Sequence, residues 1–358
     1  MSHDVCVIGA GISGIAAARA LQNVRLPFVW YEAGSRPGGL WRFGNDNGMS
    51  NIYMALHTNT SRRRTGFADL PMPVSFPDFP HHSQVLEYLE DYLEHFGLND
   101  LVQTNHRVAK VAPSETGGYT VTVERPDGKP QIERFKSVIV CNGHHWHPYK
   151  PELPGSFDGD ILHSSQYKNS TDFSGKRVLI VGAGNSACDI ACDLARTAKV
   201  RMSTRSGAHV IPKYLLGRPL DLWTTDVTSR LPVGIQRTLF AILVFLSRGA
   251  QSGYGFPTPE TRFLTAHPTI SSDLLNAVGH GQIEARADIE LLDGNHVRYR
   301  DGGVEQIDTI IMATGYSVTF PFFDSDFVSA SDNELSLFNQ VVHPTHKNMF
   351  FVGFIQPL

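Results

Sequence analysis

The sequence predicts an α/β fold with two dinucleotide-binding (Rossmann-like) domains, the second inserted into the first. Three observations carry this prediction. Gly9-Ala-Gly11-Ile-Ser-Gly14 follows the apolar run Val5-Cys-Val-Ile8, and Gly182-Ala-Gly184-Asn-Ser-Ala187 follows Arg177-Val-Leu-Ile-Val181 about 170 residues later. Each joins a buried strand, a glycine loop and a helix start, the local unit that receives a nucleotide pyrophosphate. Between them lies Phe157-Asp-Gly159-Asp-Ile-Leu-His163-Ser-Ser-Gln-Tyr167, of the form F-x-G-x-x-x-H-x-x-x-Y. Two such loops imply two nucleotides held by one chain.

In chain order, Val5–Ile8, the first loop and a helix over Ile12–Leu21 read as β-turn-α, and Pro27–Tyr31 reads as a second strand ending at Glu32. Ser83 is a candidate cap for a helix through about Phe96. Its stripe is Val85, Leu86, Leu89, Leu93 and Phe96, and Gly97 is its stop. An antiparallel section follows: Tyr119–Val123 alternates with period two, Pro126-Asp-Gly128 is a turn, and Ile132–Phe135 returns. Ser137–Cys141 is a buried strand. Prolines 148, 151 and 154 stiffen a linker at a domain crossing. The second β-turn-α then has a helix through about Ala198 and a next strand over Lys199–Ser203. The stretch 214–270 reads as an insertion. Val297–Tyr299, Asp301-Gly-Gly303 and Ile307–Met312 give a hairpin and a strand, and Met349–Val352 a last strand. The predicted domains are 1–160 with 305–358, and 161–304.

Length suits two domains. The 31 Lys+Arg against 35 Asp+Glu, a formal −4, argue against a nucleic-acid partner, which needs a basic face. Cys6, Cys141, Cys188 and Cys192 form no C-x-x-C pair and sit in apolar patterns. They read as buried thiols of a reducing compartment and speak against a dithiol redox enzyme. The N-terminus has no basic region or cleavage site ahead of Val5, so no signal peptide is predicted and the expected location is cytoplasmic or at the cytosolic face of a membrane. The longest apolar run, Leu239–Leu246, falls far short of the ~20 residues of a bilayer span. It predicts a core or docking helix, with a membrane-surface contact as the sharper alternative.

The glycines of the first loop have separate tasks. Gly9 makes the turn, Gly11 lets backbone approach a pyrophosphate, and Gly14 lets helix and strand pack. Amide N–H groups and the dipole at the helix start stabilise phosphate, and Glu32 is positioned for a ribose hydroxyl pair. In the second loop, Gly182, Gly184, Asn185 and Ser186 form the candidate phosphate site, with Ala187 as an accepted third-glycine variant. The following strand ends in Ser203-Thr204-Arg205 where an NAD site places a carboxylate. A guanidinium with neighbouring hydroxyls suits an extra 2′-phosphate, so NADPH is predicted over NADH. His144, His145 and His147 lack neighbouring carboxylate or Cys ligands, so no metal site is predicted. Arg62-Arg63-Arg64 reads as a solvated or phosphate-facing loop.

These motifs resemble the flavin-containing monooxygenases over nearly the whole chain. The resemblance includes Gly38-Gly39-Leu40-Trp41, the segment that passes along FAD. It also includes Ile52-Tyr53 leading to Thr58-Asn59, Phe76-Pro-Asp-Phe-Pro80, the helix start Ser83–Tyr88, Gly143-His-His145 and Pro154-Gly155. The F-x-G-x-x-x-H-x-x-x-Y segment and Ala313-Thr314-Gly315-Tyr316 complete it. It implies FAD and NADPH as cofactors, and an inserted NADPH domain. It also implies oxygenation of a soft amine, hydroxylamine or sulfur nucleophile with O₂ through a flavin C4a-hydroperoxide, with no metal and no protein nucleophile. Asn59 matches the family's active-site asparagine, and its amide can both donate to the peroxide and hold NADP⁺. Thr58, Thr314 and Gly315 are implied cofactor contacts. His163 and Tyr167 are expected to orient the domain connection.

Tyr167 stands where the related Baeyer–Villiger enzymes usually carry Trp, which tilts the reading from ketone oxidation toward nitrogen or sulfur. The family pattern continues past Val352-Gly-Phe-Ile-Gln-Pro357 into a helix that closes the FAD domain, whereas this sequence stops at Leu358. A fragment, or a shortened member leaking H₂O₂ in place of product, is expected from that. Baeyer–Villiger oxidation, an uncoupled NADPH oxidase and a flavin-poor binding or regulatory protein remain the alternatives. Substrate identity and oligomeric state are not legible in the sequence.

Overall fold

The first β-turn-α unit opens a mixed sheet. The computed structural model describes residues 2–224, 230–259, 261–263, 268–328, 330 and 333–354. Strands β1 (Ser2–Ile8), β2 (Phe28–Tyr31), β3 (Val102–Gln103), β4 (Arg107–Pro113), β5 (Tyr119–Glu124) and β6 (Pro130–Val140) form it, in the order β3-β2-β1-β6-β5-β4. The strand Met349–Phe351 lies parallel to the C-terminal end of β6, pairing Met349 with Val138. β1 is parallel to both neighbours, with Cys6 opposite Val29 and Val138. The pairs β4–β5 and β5–β6 are antiparallel. Central strands shared between two parallel neighbours read as continuous apolar runs, and Cys6, Val7, Val138 and Val140 are fully buried.

Helices α1 (Ile12–Asn23) and α2 (His82–His95) accompany this sheet. The expected stripe of α2 is buried at Val85, Leu89 and Leu93, joined by Tyr88 and Tyr92. Gly97, at φ +61°, ends it in the left-handed region, and Leu98 N–H donates to Leu93 O in the pattern of a glycine-stopped helix. The helix begins at His82, so Ser83 lies inside its first turn and is not the residue before it.

A second sheet is wholly parallel. Strands β7 (Asp160–His163), β8 (Arg177–Val181), β9 (Lys199–Ser203), β10 (Ile283–Arg286) and β11 (Thr309–Met312) run in the order β10-β9-β8-β11-β7. Helix α3 (Asn185–Leu194) packs its Ala187, Ile190, Ala191 and Leu194 into a core with Val178, Ile180 and Val200. It stops four residues short of the expected Ala198. A small mixed sheet carries the predicted hairpin: Ile289–Gly294, His296–Tyr299 and Val304–Gln306 are antiparallel neighbours, and Gly155–Phe157 pairs parallel with the first of them. One further expectation changes. Ile132–Phe135 and Ser137–Val140 are one strand, β6, which changes partner from β5 to Met349–Phe351 along its length. The F-x-G-x-x-x-H segment starts at the last residue of the strand Gly155–Phe157 and contains β7.

The chain forms two compact units, each discontinuous. One comprises Met1–Ile52, His82–Pro148 and Tyr316–Pro357, and the other Tyr53–His81 and Tyr149–Gly315. One break between the units falls at Pro148, and residues 53–81 and 149–160 of the predicted 1–160 block cluster with the second unit. The reason is packing: Tyr53 is 3% exposed within the core of β8, β9 and α3. β11 likewise joins β8 and belongs to the second unit.

Helix α4 (Val233–Arg248) lies in the expected insertion. Parts of that insertion (225–229, 260 and 264–267) lie outside the described residues, as do 355–358 at the expected C-terminal departure. Val244 is 3% exposed and packs with Ile211, Leu215 and Leu220, with Phe240 and Leu243 beside it. The rest of the apolar surface is in the open: Ile235, Leu239, Ile242, Phe245 and Leu246 are exposed, the last at 75%. The core-helix reading therefore holds for one narrow face only. Val233–Tyr254, α4 with the turn that follows it, spans 22 residues and holds an 18-residue window of mean hydropathy 1.3, long and apolar enough by length and composition alone to cross a membrane. Counting only the unbroken run Leu239–Leu246 missed this, because Arg237, Thr238, Ser247 and Arg248 interrupt the run without making the average polar.

Candidate functional site

In the first unit the glycine loop is shaped as its sequence requires. Gly9 has φ +97°, and a Cβ there would lie 2.7 Å from Cys141 O. A Cβ on Gly14 would lie 1.9 Å from Gly9 O, so only glycine lets α1 start against β1. Gly11 and Gly39 face each other through bare Cα atoms, because a Cβ built on Gly39 would stand 2.7 Å from Gly11 Cα. Loop and Gly38-Gly39-Leu40-Trp41 therefore meet backbone to backbone.

Both oxygens of Glu32 are engaged at the same place. Oε2 accepts from Ala10 N–H at 2.7 Å, and Oε1 from Gly34 N–H at 2.8 Å and Asn47 Nδ2 at 3.2 Å. The carboxylate thus stiffens the loop as well as bordering the cleft. Oε2, with one partner, keeps a further lone pair for a hydroxyl, whereas Oε1 already accepts twice. A cleft lies here, lined by Gly9, Gly11, Glu32, Gly39, Leu40, Trp41, Asn47, Cys141 and Asn142 among others. Asn142 Oδ1 is buried without a partner. Bare backbone at a helix start, a carboxylate at the end of β2 and an orphaned amide oxygen fit an extended dinucleotide. Neither Asn47 nor Asn142 was singled out from the sequence; the Asn-Gly ending of β6 was the available signal for the second.

In the second unit Gly182 has φ +124°, and a Cβ there would meet Ala313 O at 2.4 Å. Around Gly184 nothing lies within 4 Å of such a position, so the loop is open where a phosphate approaches. Ala187 is fully buried, its methyl filling the place of a third glycine. Asn185 is committed to the fold, since its Oδ1 accepts from Ile270 N–H at 2.8 Å. Ser203 is also committed: it is fully buried and its hydroxyl donates to Ala287 O at 2.7 Å. Thr204 Oγ1 accepts from Gly207 N–H at 3.0 Å. Of the three residues read as a 2′-phosphate site, Arg205 is the exposed one.

Thr58 and Asn59 also lie in the second unit, on the segment 53–81. Thr58 N–H donates to Pro80 O at 2.9 Å, and Lys213 Nζ donates to Thr58 O at 3.0 Å. Asn59 Oδ1, Thr58 Oγ1 and Ser61 Oγ are buried without partners, a row of polar groups left for a ligand or water. Thr314 and Gly315 close the second unit. Thr314 Oγ1 donates to Tyr149 O at 2.5 Å, and Gly315 O accepts from Tyr149 N–H at 3.0 Å. Both have structural partners within that unit.

The F-x-G-x-x-x-H-x-x-x-Y side chains act as struts. His163 is fully buried; Ser165 N–H donates to its Nδ1 at 3.2 Å, so Nε2 donates to Gly315 O at 3.0 Å. Burial lowers its pKa, which keeps the ring neutral. Tyr167 OH donates to Asp193 at 2.5 Å, and its ring meets Tyr53 edge-on with centroids 5.8 Å apart. The four cysteines are free, with Cys192 only partly buried. Burial pushes every thiol up, Cys192 to about 12, so thiolate chemistry is suppressed. Among the described residues no group of three or more His, Cys, Asp or Glu is placed to hold a metal.

Residues 2–358 match the family model described as flavin-binding monooxygenase-like. The rat protein named dimethylaniline monooxygenase [N-oxide-forming] 2 is 35% identical over 378 residues, covering 100% of this chain and 70% of the rat protein. The solved structure of S-allyl-L-cysteine S-oxygenase from Allium sativum superposes with a TM-score of 0.72 at 26% identity, covering 99% of this chain and 72% of that one. A cyclohexanone monooxygenase from Rhodococcus, bound to NADP⁺, shares the fold at TM-score 0.70 and 18% identity, covering 98% and 80%.

Proposed function

The chain belongs to the flavin-containing monooxygenase family, and from that premise we propose that it oxygenates a soft nitrogen or sulfur nucleophile: an amine, a hydroxylamine or an organosulfur compound. The family is one of FAD- and NADPH-dependent oxidoreductases. The observation that carries the reading is the match of the whole of this chain to 70% of an N-oxide-forming relative. The S-oxygenating neighbour at 26% identity supports the same chemistry.

FAD supplies the oxygen-activating chemistry and NADPH the hydride, and the protein supplies placement and a dry site. The cleft of the first unit takes FAD. Gly9, Gly11 and the start of α1 receive the pyrophosphate, Glu32 the ribose, and Gly39, Leu40 and Trp41 flank the chain of the cofactor. In the second unit, Gly182, Gly184 and the amides of Asn185 and Ser186 receive the pyrophosphate of NADPH. Arg205 meets the 2′-phosphate, with Ser203 and Thr204 shaping the turn beneath it. Asn59 presents an amide whose oxygen has no protein partner, suited to holding a carboxamide and donating to the reacting oxygen. Thr58 shapes the same loop.

The reading extends to α4, which we assign to an anionic lipid surface. Its apolar face is exposed, and the sequence from 227 to 259 holds Arg230, Arg237 and Arg248 with no Asp or Glu.

Product analysis tests the chemistry. The FAD-loaded protein is given NADPH, O₂ and, in separate reactions, a tertiary amine, a dialkyl sulfide and a cyclic ketone. N-oxide and sulfoxide are expected, with the ketone recovered. Lactone as the sole product overturns the reading in favour of Baeyer–Villiger oxidation. A protein that stays colourless after incubation with FAD removes the enzyme reading altogether.

A further inference from the structure

The loop that carries Asn59 is held from below by charge. Lys213 Nζ donates to Thr58 O, one residue before Asn59, at 3.0 Å, and lies 5.2 Å over the ring of Phe79. Its backbone is itself fixed, with Lys213 N–H donating to Ser272 Oγ at 3.0 Å. At the other end of the loop, the buried Tyr53 donates its hydroxyl to Asp189 Oδ2 at 3.0 Å. Asp189 stands one helical turn after Asn185 on α3, the helix that begins at the second nucleotide loop. Sequence distances of 136 and 155 residues separate the members of these two bonds. Nothing local demands such pairings, and a half-buried lysine is steadied by a nearby counter-charge.

We propose that Lys213 and Asp189 are positioning residues for Asn59: Lys213 clamps the Thr58 carbonyl, and Asp189 anchors Tyr53 and supplies the negative charge that keeps the clamp in place. This rests on the reading that Asn59 serves the oxygenation. The arrangement ties the Asn59 loop to the helix whose first turn receives a nucleotide phosphate, so one element sets both.

The electrostatics agree with the geometry. Burial lowers the Lys213 ammonium, and the carboxylates of Asp189 and Asp273 oppose that. Burial lifts Asp189 to about 6, Asp273 adds to the rise, and Lys213 and Tyr53 work against it. Cys188 and Cys192 on the same helix are neutral thiols, raised by burial and by Asp189 itself. As pH falls through about 6, Asp189 gains a proton and Lys213 loses a counter-charge, so the clamp weakens on the acid side.

Two quantities test this in the full chain. One is hydrogen-exchange protection of residues 53–61, with and without FAD. The other is oxygenated product formed per NADPH consumed by the FAD-loaded enzyme. Lys213→Met is expected to lower protection of 53–61 at least tenfold and product per NADPH by about tenfold, with the KM for NADPH changed less than threefold. Lys213→Arg, which can still donate to Thr58 O, is expected to restore most of both. Asp189→Asn is expected to abolish the acid-side inflection near pH 6, giving low product yield per NADPH at every pH.

Protection and yield within twofold of wild type in Lys213→Met overturn the proposal. If Lys213→Met does not fold with FAD, the wild type decides: protection of 53–61 that stays flat between pH 7.5 and 5.5 overturns it. Asn59→Leu separates the two layers. If that variant keeps the wild-type yield, the reading of Asn59 fails and the proposal with it. If it loses the yield while Lys213→Met does not, only the proposal fails.

Discussion

Asp189 illustrates a residue whose stability contribution and assigned role pull in opposite directions. Its carboxyl is raised to about 6 in the fold, against an ordinary value near 3.8. A raised carboxylate binds its proton more tightly when folded, so folding is favoured below pH 4 and loses that advantage as pH climbs to 6. The cost at pH 7.5 is at most about 3 kcal/mol. Asp189→Asn, neutral at all pH, is therefore expected to melt several degrees above wild type at pH 7.5, the gap closing by pH 4. A melting series in both proteins checks this, and a constant gap across pH removes burial of charge as its cause. The same residue-level reasoning separates Arg205 from Ser203. Arg205 is exposed and Ser203 is buried with its hydroxyl on Ala287 O. Arg205→Gln is expected to raise the KM for NADPH by 10- to 100-fold and leave that for NADH within threefold, because a 2′-phosphate loses its charge-assisted partner. Ser203→Ala is expected to cost about 1 kcal/mol of stability and leave the NADPH preference intact. The sequence displayed all three residues of this turn, but which of them faces inward depends on where the 287 carbonyl arrives.

Single elements differ in how far their sequences declare them. The β-turn-α units are local: strand, loop and helix start are consecutive, so Arg177–Val181 and Lys199–Ser203 are found with the predicted bounds. Helix α4 is the opposite case. An apolar run states that a helix needs something apolar beside it, not what that something is. Here Phe240, Leu243 and Val244 meet protein, while Ile242, Phe245 and Leu246 are exposed among the described residues. With cationic Arg237 on an element free of acids, the open face suits an anionic interface. The protein is expected to co-sediment with vesicles containing phosphatidylserine, less at high salt, and weakly with purely zwitterionic vesicles. Phe245→Asp with Leu246→Asp is expected to reduce binding at least tenfold without shifting the melting temperature by more than about 2 °C, since both side chains are already in water. Unchanged sedimentation in that double variant removes the lipid surface as the occupant.

At the scale of the whole molecule, the chain crosses between its two units at about residues 52, 81, 148 and 315. The prolines from 148 flagged one of these in the sequence, and a return near 305 was expected for the last. The crossings at 52 and 81 were not legible, because a strand-forming or loop-forming segment carries no record of which sheet it joins. Tyr53 shows the consequence. Its ring packs against Tyr167 in the core of the second sheet and its hydroxyl reaches Asp189, while its neighbours before Ile52 belong to the first unit. The second unit is thus completed by the segment 53–81, about a hundred residues upstream of most of its partners, and contacts of that separation form late and cooperatively. Loss of one buried aromatic from such a core costs about 3–5 kcal/mol, and the clamp from Lys213 to Thr58 O goes with it. The continuous piece 149–315 expressed alone is therefore expected to bind NADP⁺ at least tenfold more weakly than the full chain and to melt without a sharp transition. A synthetic peptide of residues 53–81 is expected to recover part of both when added in excess. A piece 149–315 that melts cooperatively and binds NADP⁺ within threefold of the full chain shows instead that the second sheet is self-sufficient, and then the Asn59 loop is a passenger on that unit.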